Sequence, residues 1–365
     1  MTVQRIPSFL LRPRLFPPPR FPPFPSHNVA MRRALLLAAL AALPALAQQP
    51  VPMLPSGADP WVLYKDGWYF YMHTAGRNLV LWRTRHLSDL AQAEQQVIFT
   101  PPEGAAISKQ LWAPEIHFLR GKWYVYFAAD DGRNRNHRLY VLENFARDPF
   151  EGKWRFRGKL ALDGDKWAID GSAFEHRGRL YFLWSGWEGD ENGRQDIYLS
   201  RLKNPWTAEG PRVRISTPEL PWERVGDIPK PGPDDKPHVA VNEGPEVLIR
   251  NNRVFVVYSA SGCWTDSYAL GMIYASDSAD LMNPKSWTKS PQPVFQADGS
   301  HGVWAAGHNS FTTSPDGRQD WIVYHANPGP GLGCGGRRAP FMQPFSWSAD
   351  GFPVFGAPAP AVQIP

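Results

Sequence analysis

The stretch "DPWVLYKDGWYFYMHT", Asp59–Thr74, reads as a strand, a tight turn and a second strand. In its second half Trp68, Phe70 and Met72 alternate with Tyr69 and Tyr71, giving the two faces of a β-strand. The "KDG" between the halves suits a hairpin turn, which needs residues tolerant of positive φ. The same unit recurs four times: "APEIHFLRGKWYVYFAAD" (Ala113–Asp130), "DGSAFEHRGRLYFLWSG" (Asp170–Gly186), "GPEVLIRNNRVFVVYSA" (Gly244–Ala260) and "HNSFTTSPDGRQDWIVYHA" (His308–Ala326). The copies start 54 to 74 residues apart, more than one hairpin requires. Each interval has room for two further strands, such as "NLVLWRT" (Asn78–Thr84), "HRLYVLEN" (His137–Asn144), "QDIYLSRL" (Gln195–Leu202) and "LGMIYASD" (Leu270–Asp277). Four strands per unit and five units predict an all-β fold, a five-bladed β-propeller. A β-sandwich has no reason to repeat a strand–turn–strand unit five times, and the period is too long for the coils of a β-helix.

Composition agrees. The chain has 365 residues with 16 Trp, 31 Gly and 38 Pro, a mix that favours many short strands joined by turns. Residues 1–30 are rich in Pro and Arg and read as a disordered or over-extended N-terminal segment. Residues 31–47 read as a secretory signal peptide: Arg32 and Arg33, an apolar run over Ala34–Leu43, and the small-residue site Ala45-Leu46-Ala47. The run is too short to span a membrane. Residues 48–365 are then the propeller domain, and no stable membrane association is expected once the signal is cleaved. Residues 1–47 carry six Arg and no acid, so removing them takes the formal charge from +5 to −1. The basic balance belongs to the leader and gives no case for a nucleic-acid partner. Two cysteines remain, Cys263 and Cys334; in an exported chain a disulfide between them and a pair of buried thiols are both open readings.

The innermost strands of a propeller begin around its axis at one end of the central channel. That brings together Asp59, Glu115, Asp170, the pair Glu243/Glu246 and His308. Polar residues are scarce at the starts of buried strands. Several carboxylates around one cavity suit a metal or acid–base work on a glycosidic bond. For hydrolysis with inversion, one carboxyl protonates the leaving oxygen while a second, roughly 6.5–9.5 Å away, activates water. A third carboxylate beside the acid would keep it protonated. Strict alternation along "VNEGPEVLIRNN" (Val241–Asn252) would put Glu246, not Glu243, on the face of the two aspartates.

Five motifs, "ADPW" (Ala58–Trp61), "LWAPEIH" (Leu111–His117), "AIDGSAF" (Ala168–Phe174), "NEGPEVL" (Asn242–Leu248) and "GHNSF" (Gly307–Phe311), occur in order at the unit starts. With them the chain resembles glycoside hydrolase family 43 over about Gly57–Gly356. "LWSGWEG" (Leu183–Gly189), "VYSASGCWTDSYALG" (Val257–Gly271) and "DWIVYHA" (Asp320–Ala326) look most like its exo-acting α-L-arabinofuranosidase branch. The resemblance implies Asp59 as general base, Asp170 as the group that raises and orients the acid, and Glu243 as general acid. It sets His308 near an axial cation, often calcium, held largely through water, with no cofactor needed for the chemistry. Gly244 would let the chain bend above the strand, leaving Glu243 at the cavity rim and Glu246 deeper beside Glu115. Trp61, Trp112 and Trp264 are candidates to stack on sugar faces. Glu115 is expected in a hydrogen-bond network beneath the sugar. Arg337 and Arg338, in "GCGGRRAPFMQPF" (Gly333–Phe345), are candidates to reach its hydroxyls.

The expected activity is an exported, secreted or periplasmic, inverting exo-glycosidase that removes terminal α-L-arabinofuranose from arabinan or arabinoxylan. β-Xylosidase and endo-arabinanase share the chemistry and are the alternatives; a non-catalytic carbohydrate-binding propeller would lack one of the three carboxylates. The insert Glu219–Val241, before the acid, is expected to wall one side of the site.

Overall fold

Two-residue turns with both residues at positive φ twist a hairpin the way paired strands twist. Asp66-Gly67, Arg120-Gly121, Arg177-Gly178 and Asn251-Asn252 all adopt that conformation, so four of the five repeated units close as the sequence predicts. The protein is described by a computed structural model covering residues 50–231 and 236–359. The proposed extension and signal peptide lie outside the described residues.

The described chain is all-β, with strands in groups of four. They are β1–β4 (Ala58–Lys65, Trp68–Thr74, Leu79–Thr84, Glu94–Phe99) and β5–β8 (Lys109–Leu119, Lys122–Asp130, Arg138–Asn144, Arg155–Lys159). Next come β9–β12 (Ala168–His176, Arg179–Gly186, Arg194–Asn204, Thr207–Ser216) and β13–β16 (Ala240–Arg250, Arg253–Ala260, Ala269–Ser276, Thr288–Lys289). The last are β17–β20 (Trp304–Thr313, Asp320–Asn327, Ala339–Trp347, Pro353–Val354). Within each group the strands pair antiparallel in chain order. A short parallel ladder, Arg194 with Ala240 and Gln195 with Val241, joins the third and fourth groups into one eight-stranded sheet. The first strands pack in cyclic order, β1 on β5, β5 on β9, β9 on β13, β13 on β17, and β17 back on β1. Trp123, Trp184 and Trp321 lie fully buried between sheets. Each such aromatic removes ~150–250 Å² from water, roughly 4–6 kcal/mol before entropy is counted.

One irregularity repeats in all five groups. Three steps on the first strand oppose two on the second: Ala58 to Trp61 against Thr74 to Met72, and Trp112 to Glu115 against Ala128 to Tyr126. The others are Ile169 to Ser172 against Ser185 to Leu183, Glu243 to Glu246 against Ser259 to Val257, and Gly307 to Ser310 against His325 to Val323. Each is a β-bulge, and at each the second residue is left-handed: Asp59, Ala113, Asp170, Gly244 and His308, with φ between 42° and 58°. Asp and His visit this region seldom, and such strain gathers at functional sites.

Candidate active site

The bulges decide which side chains face the cavity. Its volume is about 390 Å³, at the small end of ligand pockets. Asp59, Asp170 and His308, all left-handed bulge residues, line it; so do Trp112, Ile169 and Glu243, each one residue before a bulge. The residues just past the bulge, Trp61, Glu115, Ser172, Glu246 and Ser310, fall outside the lining. Gly244 therefore breaks the alternation as expected. Its φ is +54°, and a Cβ there would stand 3.2 Å from the His308 ring.

Asp59 is held on every side. Thr74 Oγ1 donates to its Oδ2 at 2.6 Å and Arg338 Nη1 to its Oδ1 at 3.2 Å. Its backbone N–H, turned out of the ladder by the bulge, donates to His325 Nδ1 at 3.0 Å. Burial works to raise the Asp59 carboxyl, but His308, Arg338 and His325 hold it well below the usual carboxylate range. Burial pushes His325 itself down to about 3, and its Nδ1 accepts a backbone proton, so His325 is neutral and the lasting positive charge beside Asp59 is Arg338. A carboxylate kept ionised in a buried site is what a general base requires.

Asp170 and Glu243 behave oppositely. Burial, then Glu243 and Asp59, push Asp170 well above its ordinary value, while its Oδ2 accepts the Gly244 N–H at 3.0 Å. Burial, then Asp59, raise Glu243 to about 7, against the pull of Tyr268 and Arg338. Tyr268 donates to Glu243 Oε1 at 2.8 Å. Two buried acids repelling one another retain a proton near neutrality and titrate as a pair. The cavity thus holds one proton donor and one ionised acceptor.

Several expectations need correction. Trp61 is not a sugar platform: it lies past the bulge, its Nε1 donates to Ile116 O at 2.8 Å, and its ring packs on His117. Glu115 does not line the cavity; His117 Nε2 lies 2.9 Å from its Oε2, and burial followed by Glu246 raises its pKa. Beside it, Glu246 accepts a bond from Ser172. Arg337 is exposed and outside the cavity lining, whereas Arg338 is inside. Trp112 and Trp264 line the cavity, Trp112 stacked on His137 with ring centroids 4.1 Å apart. Cys263 and Cys334 form a disulfide at the cavity wall, with Cα atoms 5.3 Å apart. The insert contributes Ile228 to the wall and is anchored by buried Glu223, which accepts from Lys289, Tyr258 and Asn242.

His308 Nδ1 lies 3.3 Å from Asp59 Oδ1, an oxygen Arg338 also occupies. Among the described residues no three His, Cys, Asp or Glu stand ready to hold a metal. Direct coordination by a protein cage therefore does not fit.

The reading from sequence missed Thr74 and His325, which bond Asp59, and Tyr268, which bonds Glu243. Thr74 ends the first repeat copy, and the other two lie inside "VYSASGCWTDSYALG" and "DWIVYHA". Nothing in the strand pattern separates them from ordinary inward-facing residues.

Comparison with known proteins identifies the family. Residues 49–353 match the model of glycosyl hydrolases family 43. A Streptomyces chartreusis protein named extracellular exo-α-(1→5)-L-arabinofuranosidase is 38% identical over 84% of this chain and 92% of its own. Alpha-L-arabinofuranosidase 43 of Humicola insolens is 37% identical over 83% of this chain, which spans only 62% of that relative. The crystal structure of an α-L-arabinofuranosidase from Lactobacillus brevis superposes with a TM-score of 0.77 at 35% identity, covering 86% of this chain and 97% of that one.

Proposed function

The chain belongs to glycosyl hydrolases family 43, and on that premise we propose that it is an inverting exo-α-L-arabinofuranosidase acting on the ends of arabinan or arabinoxylan side chains. One observation carries the reading: three carboxylates, fixed by repeated bulges, meet in a walled cavity of about 390 Å³, suited to a single terminal sugar. The fold reading is a five-bladed propeller, supported by the groups of four strands and the cyclic packing of β1, β5, β9, β13 and β17.

In the proposed reaction a water above the anomeric carbon gives a proton to Asp59 as its oxygen attacks. The glycosidic C–O bond breaks as Glu243 protonates the leaving oxygen. Asp170 titrates as a pair with Glu243, sharing the retained proton, and accepts the Gly244 N–H, which fixes the bulge. Trp112 and Trp264 offer apolar walls to the sugar, and Arg338 sets the direction of Asp59. A hydrated calcium ion beside His308 would brace the axis and take no part in these steps; a fall in Tm on chelation tests it.

Export is supported by the disulfide, which favours an oxidising compartment, and by the extracellular naming of the Streptomyces relative. No helix among the described residues is long and apolar enough to cross a membrane. Release of arabinose from 4-nitrophenyl α-L-arabinofuranoside and stepwise from the ends of arabino-oligosaccharides is expected. Inactivity on both, or internal cleavage of arabinan, would refute the reading. Ile228 and the disulfide line the cavity, and the exo-acting naming of the Streptomyces relative favours end-on over internal cleavage.

A further inference from the structure

Inverting hydrolysis consumes one water per turnover, and a terminal sugar seated in the cavity blocks the entrance it used. A second chamber of about 320 Å³ adjoins the first and shares four of its lining residues, Thr74, Trp112, Cys334 and Arg338. Two of those four are the groups that hold the oxygens of Asp59, Thr74 on Oδ2 and Arg338 on Oδ1. The remaining wall comes from the first group's own backbone and from the loop that carries Arg338, and its rim, Ser56, Ala75, Gly335 and Gly336, is exposed. Glu243, from the fourth group, does not line it. Nothing about this chamber suits a leaving sugar: Asp59 itself lines only the first cavity, and the chamber lies behind it on the side of its partners Thr74 and Arg338, while the departing oxygen must lie toward the acid.

Behind its inner wall lie two unsatisfied polar atoms. His73 lines the chamber, and its Nδ1 is buried without a protein partner, as is the Oη of Tyr71, which does not line it and stands 3.1 Å from where a Cβ on Gly57 would lie. Buried polar groups without protein partners are places where ordered water binds. Both residues lie close enough to Asp59 to feel its charge.

We propose that this second chamber is the water route of the enzyme, loading the nucleophile onto Asp59 between Thr74 and Arg338 while the arabinosyl unit fills the first. Resting on the hydrolase reading above, the inference assigns His73 and Thr74 as positioning residues for water. The step balances: water oxygen bonds to the anomeric carbon, its proton passes to Asp59, and the leaving oxygen takes the proton of Glu243. Both carboxyls then exchange protons with solvent.

Ala75 is exposed and lines only the second chamber, so Ala75→Leu and Ala75→Phe narrow it without touching the first. With Tm unchanged, kcat is expected to fall at least about fivefold on both 4-nitrophenyl α-L-arabinofuranoside and arabinobiose, more for Phe than Leu, with KM unmoved. An unchanged kcat overturns the proposal. So does a rise in KM confined to arabinobiose, which would make the chamber a sugar subsite. A wild type inactive on every arabinoside would sink the hydrolase reading itself, and the water route with it.

Discussion

Replacing Tyr268 by Phe removes one hydroxyl and leaves the ring that stacks on His325 with a 3° interplanar angle. The lost contact is the 2.8 Å bond to Glu243 Oε1. That bond favours the ionised carboxylate, so its loss must raise the Glu243 pKa. The size follows from a difference. A hydrogen bond to a charged group contributes ~1.5–3 kcal/mol and one to a neutral group ~0.5–1.5 kcal/mol, so the carboxylate loses about 1–1.5 kcal/mol more than the protonated acid. At 1.36 kcal/mol per unit this is a rise of about 0.7–1.1 units. Glu243 starts at about 7. The acid works protonated, so activity falls as pH rises through this value, and the alkaline limb of kcat/KM is expected near 7 in the wild type and close to 8 in Tyr268→Phe. The assay is the pH profile of kcat/KM on 4-nitrophenyl α-L-arabinofuranoside, which reports the free enzyme. A limb that stays still or moves down would refute the assignment of Glu243 as the titrating acid.

Asp59 titrates below the usual carboxylate range, so the acid limb should lie low, and Arg338→Leu, which removes its lasting counter-charge, should move that limb upward in the same profile. Gly244→Ala places a Cβ against the His308 ring at a left-handed residue; ~1–2 kcal/mol of lost stability in a denaturant melt and a kcat loss of more than about tenfold are expected. Cys263 and Cys334 are 71 residues apart, a span for which closure is worth about 4 kcal/mol in the chain-entropy account. Reduction should lower Tm by roughly 5–10 °C and, because Arg338 follows Cys334 by four residues in the same loop before β19, lower kcat before the protein melts.

The repeat, its hairpin turns and the gathering of Asp59, Asp170, Glu243 and His308 in one cavity were legible because they rest on period and turn chemistry. Four turns took the left-handed pairs their sequences called for. The bulge was legible only at Gly244, where glycine marks it; Ala113 and His308 occupy the same conformation with no sign in their identity. Trp61 was misjudged for that reason. A residue two places after a bulge residue faces the opposite way from one beside it, and alternation alone cannot show where the extra residue sits. Arg337 and Arg338 are adjacent and alike in sequence, and only the fold turns one inward. The second chamber left no trace in the pattern, since its walls come from β1, β2 and the residues beside them, Trp112 of β5 and the loop before β19.

The choice between two glutamates three residues apart is the most exposed part of the account. Glu243 lines the cavity and is bonded to Tyr268, whereas Glu246 lies past the bulge with Ser172 and Glu115. The direct measurement is kcat of Glu243→Gln and Glu246→Gln across aryl arabinofuranosides of graded leaving-group acidity. The account predicts that Glu243→Gln loses activity most on poor leaving groups and keeps it on the most activated ones, while Glu246→Gln shows the wild-type dependence. If Glu246→Gln shows the steep dependence instead, the bulge does not select the acid and the assignment is wrong.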